Sequence, residues 1–262
     1  MRASPEKNYL LVLLILLAPL AWGERREPAT LVLIIDDLGY ELEAGRKAVE
    51  LPGKVNLAIL PHTPNSQELA TLGLAAGKEI LLHAPMSNLN AAPLGRGGLT
   101  AAMSEQELRD TLALDIDSTP GVRGINNHMG SLLTARREPM EWVMKELAAR
   151  GLYFVDSRTT ADTLAAEVAG EYGIPHLSRQ VFLDNEQDGT AIHYKFKEFL
   201  RLADEQGMAI AIGHPHRVTL KYLHRQLPRL ERRGYRLALV SEVLASRRVP
   251  LARSAARGSG PE

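Results

Sequence analysis

Short apolar runs alternate with amphipathic stretches over residues 30–244. The runs are 31–35 (LVLII), 55–60 (VNLAIL), 79–82 (EILL), 122–125 (VRGI), 152–155 (LYFV), 180–183 (QVFL), 208–212 (MAIAI) and 235–240 (YRLALV). Most are almost wholly apolar, which is the pattern of strands buried on both faces. The stretches between them read as helices. Asn65 with Glu68, and Ser104 with Glu107, have the spacing of a capping box. The segments 140–150 and 218–233 each run into a helix-stopping glycine, Gly151 and Gly234. Strand and helix alternate about seven times, so the chain predicts a parallel sheet with right-handed crossovers in one α/β domain over 30–245. A closed barrel and an open doubly wound sheet both fit that rhythm. A dinucleotide-binding open sheet needs a glycine-rich turn after its first strand. Here Asp36-Asp37-Leu38-Gly39 follows, and two carboxylates repel phosphate.

The chemistry sits where the apolar runs stop. LVLII meets Asp36 and Asp37, VNLAIL meets Pro61-His62, and EILL meets His83. VRGI meets Asn126-Asn127-His128, LYFV meets Asp156, and QVFL meets Asp184-Asn185. MAIAI meets Gly213-His214-Pro215-His216. In a parallel barrel all these ends open on one face, so residues distant in sequence converge. Asp36 and Asp37 are adjacent, and in an extended chain they would point to opposite sides. A turn of the backbone at the strand end lets both reach one pocket with separate tasks.

Composition narrows those tasks. The chain has no cysteine, which excludes disulfides, thiolate metal sites and a cysteine nucleophile. Any metal must be held by histidine and carboxylate. Asp37, His83 and His128 supply three such ligands, the number a catalytic zinc takes beside its water. Asp36 would then act as base and His214 as acid, a set suited to amide or ester hydrolysis. Basic and acidic residues balance at 31 each, which argues against nucleic acid as a partner. Residues 9–22 (YLLVLLILLAPLAW) are uncharged and too short to span a bilayer comfortably. They predict a signal peptide over 1–23, cleaved after Gly23, or an N-terminal anchor. The working protein is thus expected in the periplasm or secreted, with membrane contact only through an uncleaved leader. Residues 246–262, rich in Arg, Pro and Gly, read as a loose basic tail.

Ile34-Ile-Asp36-Asp37-Leu-Gly39 resembles the first motif of the NodB-type polysaccharide deacetylases, Gly77–His83 their second, and Ala211–His214 their last. The phrases LLHAPM (81–86), NNHMGS (126–131), FVDS (154–157), VFLDNEQD (181–188) and GHPH (213–216) are similar to signatures of the divergent, YibQ-like branch. The resemblance implies a distorted (β/α) barrel of about seven parallel strands. It implies Asp36 as base, Asp37 and His83 as ligands of a divalent metal, zinc being expected, and His214 as acid. The implied substrate is an acylated carbohydrate of the cell envelope. Two departures stand out. Ser87 occupies the place of the second motif's other histidine, and Asn126–Gly130 replaces the usual Arg and Pro-Tyr-Gly of the third. His128 is the expected substitute ligand. These departures and the 5% aromatic content also fit another reading, an inactive barrel that binds an envelope glycan or a protein partner. A phosphoesterase would need two close metals or a basic clamp, for which Arg96 and Arg123 are the candidates.

Four further residues have open roles. His62 either lines a substrate groove or sits exposed in its loop. Asp156 either orients His214 or another ligand, or makes a structural hydrogen bond to the start of the next helix. Asp184 either supports the site or belongs to a turn. His216 either neighbours His214 or faces solvent. His176, His193 and His224 are expected to be structural or on the surface.

Overall fold

The computed structural model describes residues 27–248. The expected leader lies outside them, as does the expected tail beyond Arg248. Nine strands are present among the described residues: β1 (Ala29–Leu38), β2 (Asn56–Ile59), β3 (Glu79–Met86), β4 (Val122–Met129), β5 (Tyr153–Asp156), β6 (His176–Ser178), β7 (Val181–Phe182), β8 (Met208–Gly213) and β9 (Tyr235–Leu237). The helices are α1 (Leu42–Val49), α2 (Ser66–Ala75), α3 (Glu105–Asp117), α4 (Arg137–Arg150), α5 (Ala165–Glu171), α6 (Gly189–Gln206), α7 (Arg217–Gln226) and α8 (Val240–Arg248). All strand pairings are parallel, in the order β6-β5-β4-β3-β2-β1-β8-β7, with β9 beside the start of β1.

That order decides between barrel and open sheet. The two edges, β6 and β7, are joined by only Arg179 and Gln180. Three Cα steps reach at most ~11 Å, so the edges must lie side by side. The Arg179 amide donates to Asp156 of β5, and the Gln180 amide to Ile210 of β8. One broken strand thus bonds one edge and then the other, closing a distorted seven-stranded barrel. β6 (HLS) escapes a search for apolar runs because it is short and only its leucine is buried.

Alternation explains why the strands are apolar throughout. In β1, Leu31, Leu33 and Ile35 face outward into a core with Leu69 of α2, Phe196 and Phe199 of α6, and Leu223 of α7. Val32 and Ile34 face inward with Ala58, Leu81, Val155, Ile210 and Ile212. The opposite flank packs Leu82, Ile125 and Phe154 against α3, α4 and α5. α8 contributes Val243 and Leu244 to the interior cluster and closes the base of the barrel. There the buried Glu79 accepts from the Tyr153 hydroxyl at 2.7 Å and from the Ser241 amide at 2.9 Å.

Three local expectations change. The Ser104 capping box forms in full, but the one at Asn65 does not. Asn65 instead donates to the carbonyls of Gly39 and Tyr40, and Glu68 pairs with Arg46. The 218–233 helix ends at Gln226 and continues as two short 3-10 turns, because Pro228 cannot donate to the helical ladder. Residues Ser246–Arg248 belong to α8 rather than to a tail.

Candidate active site

The strands run past their apolar cores, so the polar residues are the last rungs of the barrel. The inward parity of Val32 and Ile34 continues to Asp36, and that of Leu81 to His83. In β4, Asn126 and His128 share the parity opposite to the outward Ile125. The parity of Ile210 and Ile212 leads on to His214. Asp37 breaks the rule. It has φ +57, and the β1–β2 register shifts between Ile35 and Leu38. This bulge turns the second carboxylate back toward the first. A non-glycine residue in that region costs of order 1–3 kcal/mol, which the surrounding barrel must offset.

Three donor atoms meet at the top of the interior. Asp37 Oδ1 lies 3.1 Å from His83 Nε2 and 2.8 Å from His128 Nδ1, and the two ring nitrogens are 3.1 Å apart. Lone-pair atoms this close need a cation between them, whether protons or a metal ion. Tetrahedral ligands at zinc–nitrogen and zinc–oxygen bond lengths lie about 3.3 Å from one another, so this triangle fits such an ion. Asp37, His83 and His128 can therefore hold a divalent cation. Ser87, which stands in the place of the second motif's other histidine, accepts from the Ala101 amide at 3.3 Å.

Asn126 organises this cluster, bonding His83 and Asp36 rather than holding His128. Its Oδ1 accepts from His83 Nδ1 at 2.9 Å, which leaves Nε2 to face the other donors. Its Nδ2 donates to Asp36 Oδ1 at 2.8 Å. One amide thus fixes both the ring and the neighbouring carboxylate. The signal was its strand parity, two positions before His128. Asp36 is almost fully buried, and its Oδ2 lies 3.6 Å from His83 Nε2. Burial pushes its carboxyl above the ordinary range, although His83, His214 and the Asn126 bond pull the other way. Burial would also raise Asp37, but the bonds from His128 and His83 outweigh it and hold Asp37 far below the usual range.

His214 approaches from β8, with Nε2 4.0 Å from Asp37 Oδ2. Its Nδ1 donates to Asp184 Oδ1 at 2.8 Å, while the His214 amide and Thr219 hydroxyl donate to Asp184 Oδ2. Asp184 thus bonds His214 and Thr219 rather than groups of its own turn alone. Burial alone would depress the His214 imidazole. The Asp184 bond, then the charges of Asp36, Asp184 and Asp37, reverse this and push it up to about 9. Phe182 stacks on His214, and the Arg179 guanidinium lies 3.8 Å from the Phe182 ring centre.

The other expected residues separate. Asp156 has the outward parity of Phe154, and it accepts from the Arg158 amide and Thr163 hydroxyl in its own loop. It orients neither His214 nor a cluster ligand. His62 has φ +54, and the turn carries its ring to Asp115 of α3, with Nε2 donating at 2.8 Å. Its one hydrogen bond is thus to a helix on the outside of the barrel. His216 accepts from Gln187 at 3.2 Å, and its ring centre lies 5.8 Å from that of His214. His193 bonds the Tyr222 hydroxyl, and His176 the Ile174 carbonyl, so both are structural.

The family model described as divergent polysaccharide deacetylase matches residues 33–244. The chain belongs to that family. It is 36% identical over 197 residues to the uncharacterized protein YibQ of Escherichia coli K12, covering 75% of this chain and 62% of that one. The chain thus spans less than two thirds of that relative's length. A crystal structure of an uncharacterized Agrobacterium tumefaciens C58 protein superposes with TM-score 0.79 at 24% identity, covering 83% of this chain and 89% of that one. The catalytic domain of a peptidoglycan N-acetylglucosamine deacetylase from Eubacterium rectale shares the fold at TM-score 0.51 and 12% identity, with 82% and 89% covered. A CE4 family pseudoenzyme from Bacillus anthracis does so at TM-score 0.50 and 14% identity, with 83% and 66% covered. These three likenesses show the (β/α) barrel fold.

Proposed function

We propose that this protein is a metal-dependent hydrolase that removes an acyl group, acetyl in the simplest case, from a carbohydrate of the bacterial cell envelope. One observation carries the reading: a preformed Asp37–His83–His128 triangle has a buried carboxylate, Asp36, and an Asp184-held imidazole, His214, beside it. Family membership supports the substrate class. Histidine nitrogen and carboxylate oxygen favour zinc, and nickel, cobalt or manganese would also fit. A divalent cation held by the triangle supplies Lewis acidity, acidifying water and polarising an acyl carbonyl.

The chain's own groups do the rest. Asp36 accepts the proton of the attacking water, and its place beside Asn126 Nδ2 and His83 fixes the accepting oxygen. His214 donates a proton to the leaving nitrogen or oxygen. Its bond to Asp184 favours the charged imidazole that an acid needs. Asp184 holds the imidazole through Nδ1, leaving Nε2 toward the cavity. Reaction in the periplasm fits the leader-like residues 9–22. The test is release of acetate from N- and O-acetylated glycans by purified protein, with bound metal counted in the same sample. No turnover with metal bound, or equal turnover by Asp36→Asn, overturns the reading. The other reading is an inactive glycan- or protein-binding barrel. It is favoured by Ser87 and by the rebuilt third motif, and it predicts binding that survives loss of Asp36.

A further inference from the structure

A second cluster of donors lies beside the first. Asp184, His214 and His216 each offer a donor atom, and these atoms all lie within 4.8 Å of one another. Local sequence builds this arrangement. Pro215 biases His214 toward extended backbone, and residues two apart in an extended segment share a side. His216 is itself extended, at φ −66 and ψ 139. The two rings therefore stand together, with centres 5.8 Å apart and planes inclined by 38°. Asp184 is buried, and its Oδ2 is fixed by the His214 amide and the Thr219 hydroxyl. Its Oδ1 is left to face the imidazoles.

We propose that Asp184, His214 and His216 form a second divalent-cation site, distinct from the Asp37–His83–His128 triangle. Two imidazoles and one carboxylate are the ligand number and type of an open zinc site. A cation there takes a ring lone pair of His214 and displaces the proton shared between His214 and Asp184. It also displaces the Gln187 amide that His216 now accepts from. If the hydrolase reading holds, such an ion removes the acid from catalysis, so excess metal inhibits. The site itself does not depend on that reading.

The test counts zinc bound to the purified protein by equilibrium dialysis at micromolar free zinc. Wild type binds two ions, and His216→Gln and His128→Gln each bind one. His216 makes no capping bond at the start of α7, so its replacement leaves the helix intact. In imidazole NMR spectra, the His216 resonances move with the second equivalent in wild type. They move with the first in His128→Gln. A single ion that His216→Gln retains overturns the second site and leaves the triangle standing. A single ion that His216→Gln loses supports the second site and counts against the triangle. Two ions in His216→Gln, or none in wild type, overturn the proposal.

Discussion

Replacing Asp184 by Asn removes a charge from the partner of His214 with almost no change of volume. The wild-type imidazole stands at about 9 against an ordinary 6.5, despite burial that pulls it down. That rise corresponds to about 3 kcal/mol in favour of the charged ring. Asp184 contributes a charge-assisted hydrogen bond and one of three nearby negative charges, while Asp36 and Asp37 remain in the variant. The His214 midpoint should therefore fall by about 1–2 units, read by NMR titration of the imidazole in metal-free protein. The sign for stability follows. The raised His214 pKa contributes stability that is full below 6.5 and lost as pH rises through about 9. The lowered Asp184 pKa contributes stability present above its ordinary 3.8 and lost as pH falls below it. The cost of Asp184→Asn should thus be largest between those limits, of order 1–3 kcal/mol by denaturant unfolding, and shrink above pH 9. In the hydrolase, the basic limb of kcat/KM should move down with the imidazole. A midpoint that stays at about 9 would refute the assignment of Asp184 as the group that holds the proton on His214.

Asp36→Asn should lower kcat by about 10²–10⁴-fold with metal content unchanged, since Asp36 accepts a proton and is not one of the three triangle donors. Asn126→Ala should weaken zinc binding by about 10–100-fold, measured by competition with a chelator, because His83 loses the bond that fixes its ring. Asp115→Asn should stabilise the protein at pH 8 by about 1–3 kcal/mol in thermal or denaturant unfolding. Burial pushes Asp115 up to about 8, and Oδ2 has no partner, so wild-type stability falls as pH rises through about 8. A less stable variant at pH 8 would refute that account. Gly39→Ala should destabilise by about 2–4 kcal/mol, because φ is +131 and the new methyl would meet Thr63 Oγ1 at 2.0 Å.

Much of the site was legible from strand parity alone. Asp36, His83, His128 and His214 lie two or four positions beyond inward apolar residues, or opposite an outward one. Asp156 shows the same logic negatively. It follows an apolar run as closely as Asp36 does, yet Phe154 places it on the outward side. Asn126 was on the inward parity, but its bonds to His83 and Asp36 were not legible, because an amide announces no partner until the strands beside it are known.

The sequence by itself determined every strand but β6, the helix stop at Gly151, and the set of chemical groups at one barrel face. It could do so because burial on two faces demands apolar residues, and alternation has a fixed period of two. Only the tertiary structure decided how that face is assembled. The bulge at Asp37 turns a residue of outward parity inward, and the left-handed turn at His62 carries a histidine away to Asp115. The pairing of Asp184 with His214, and the closure of the barrel through Arg179 and Gln180, join residues from separate strands. Such outcomes depend on backbone conformations and distances between strands, set by packing over the whole barrel rather than by any local run of residues.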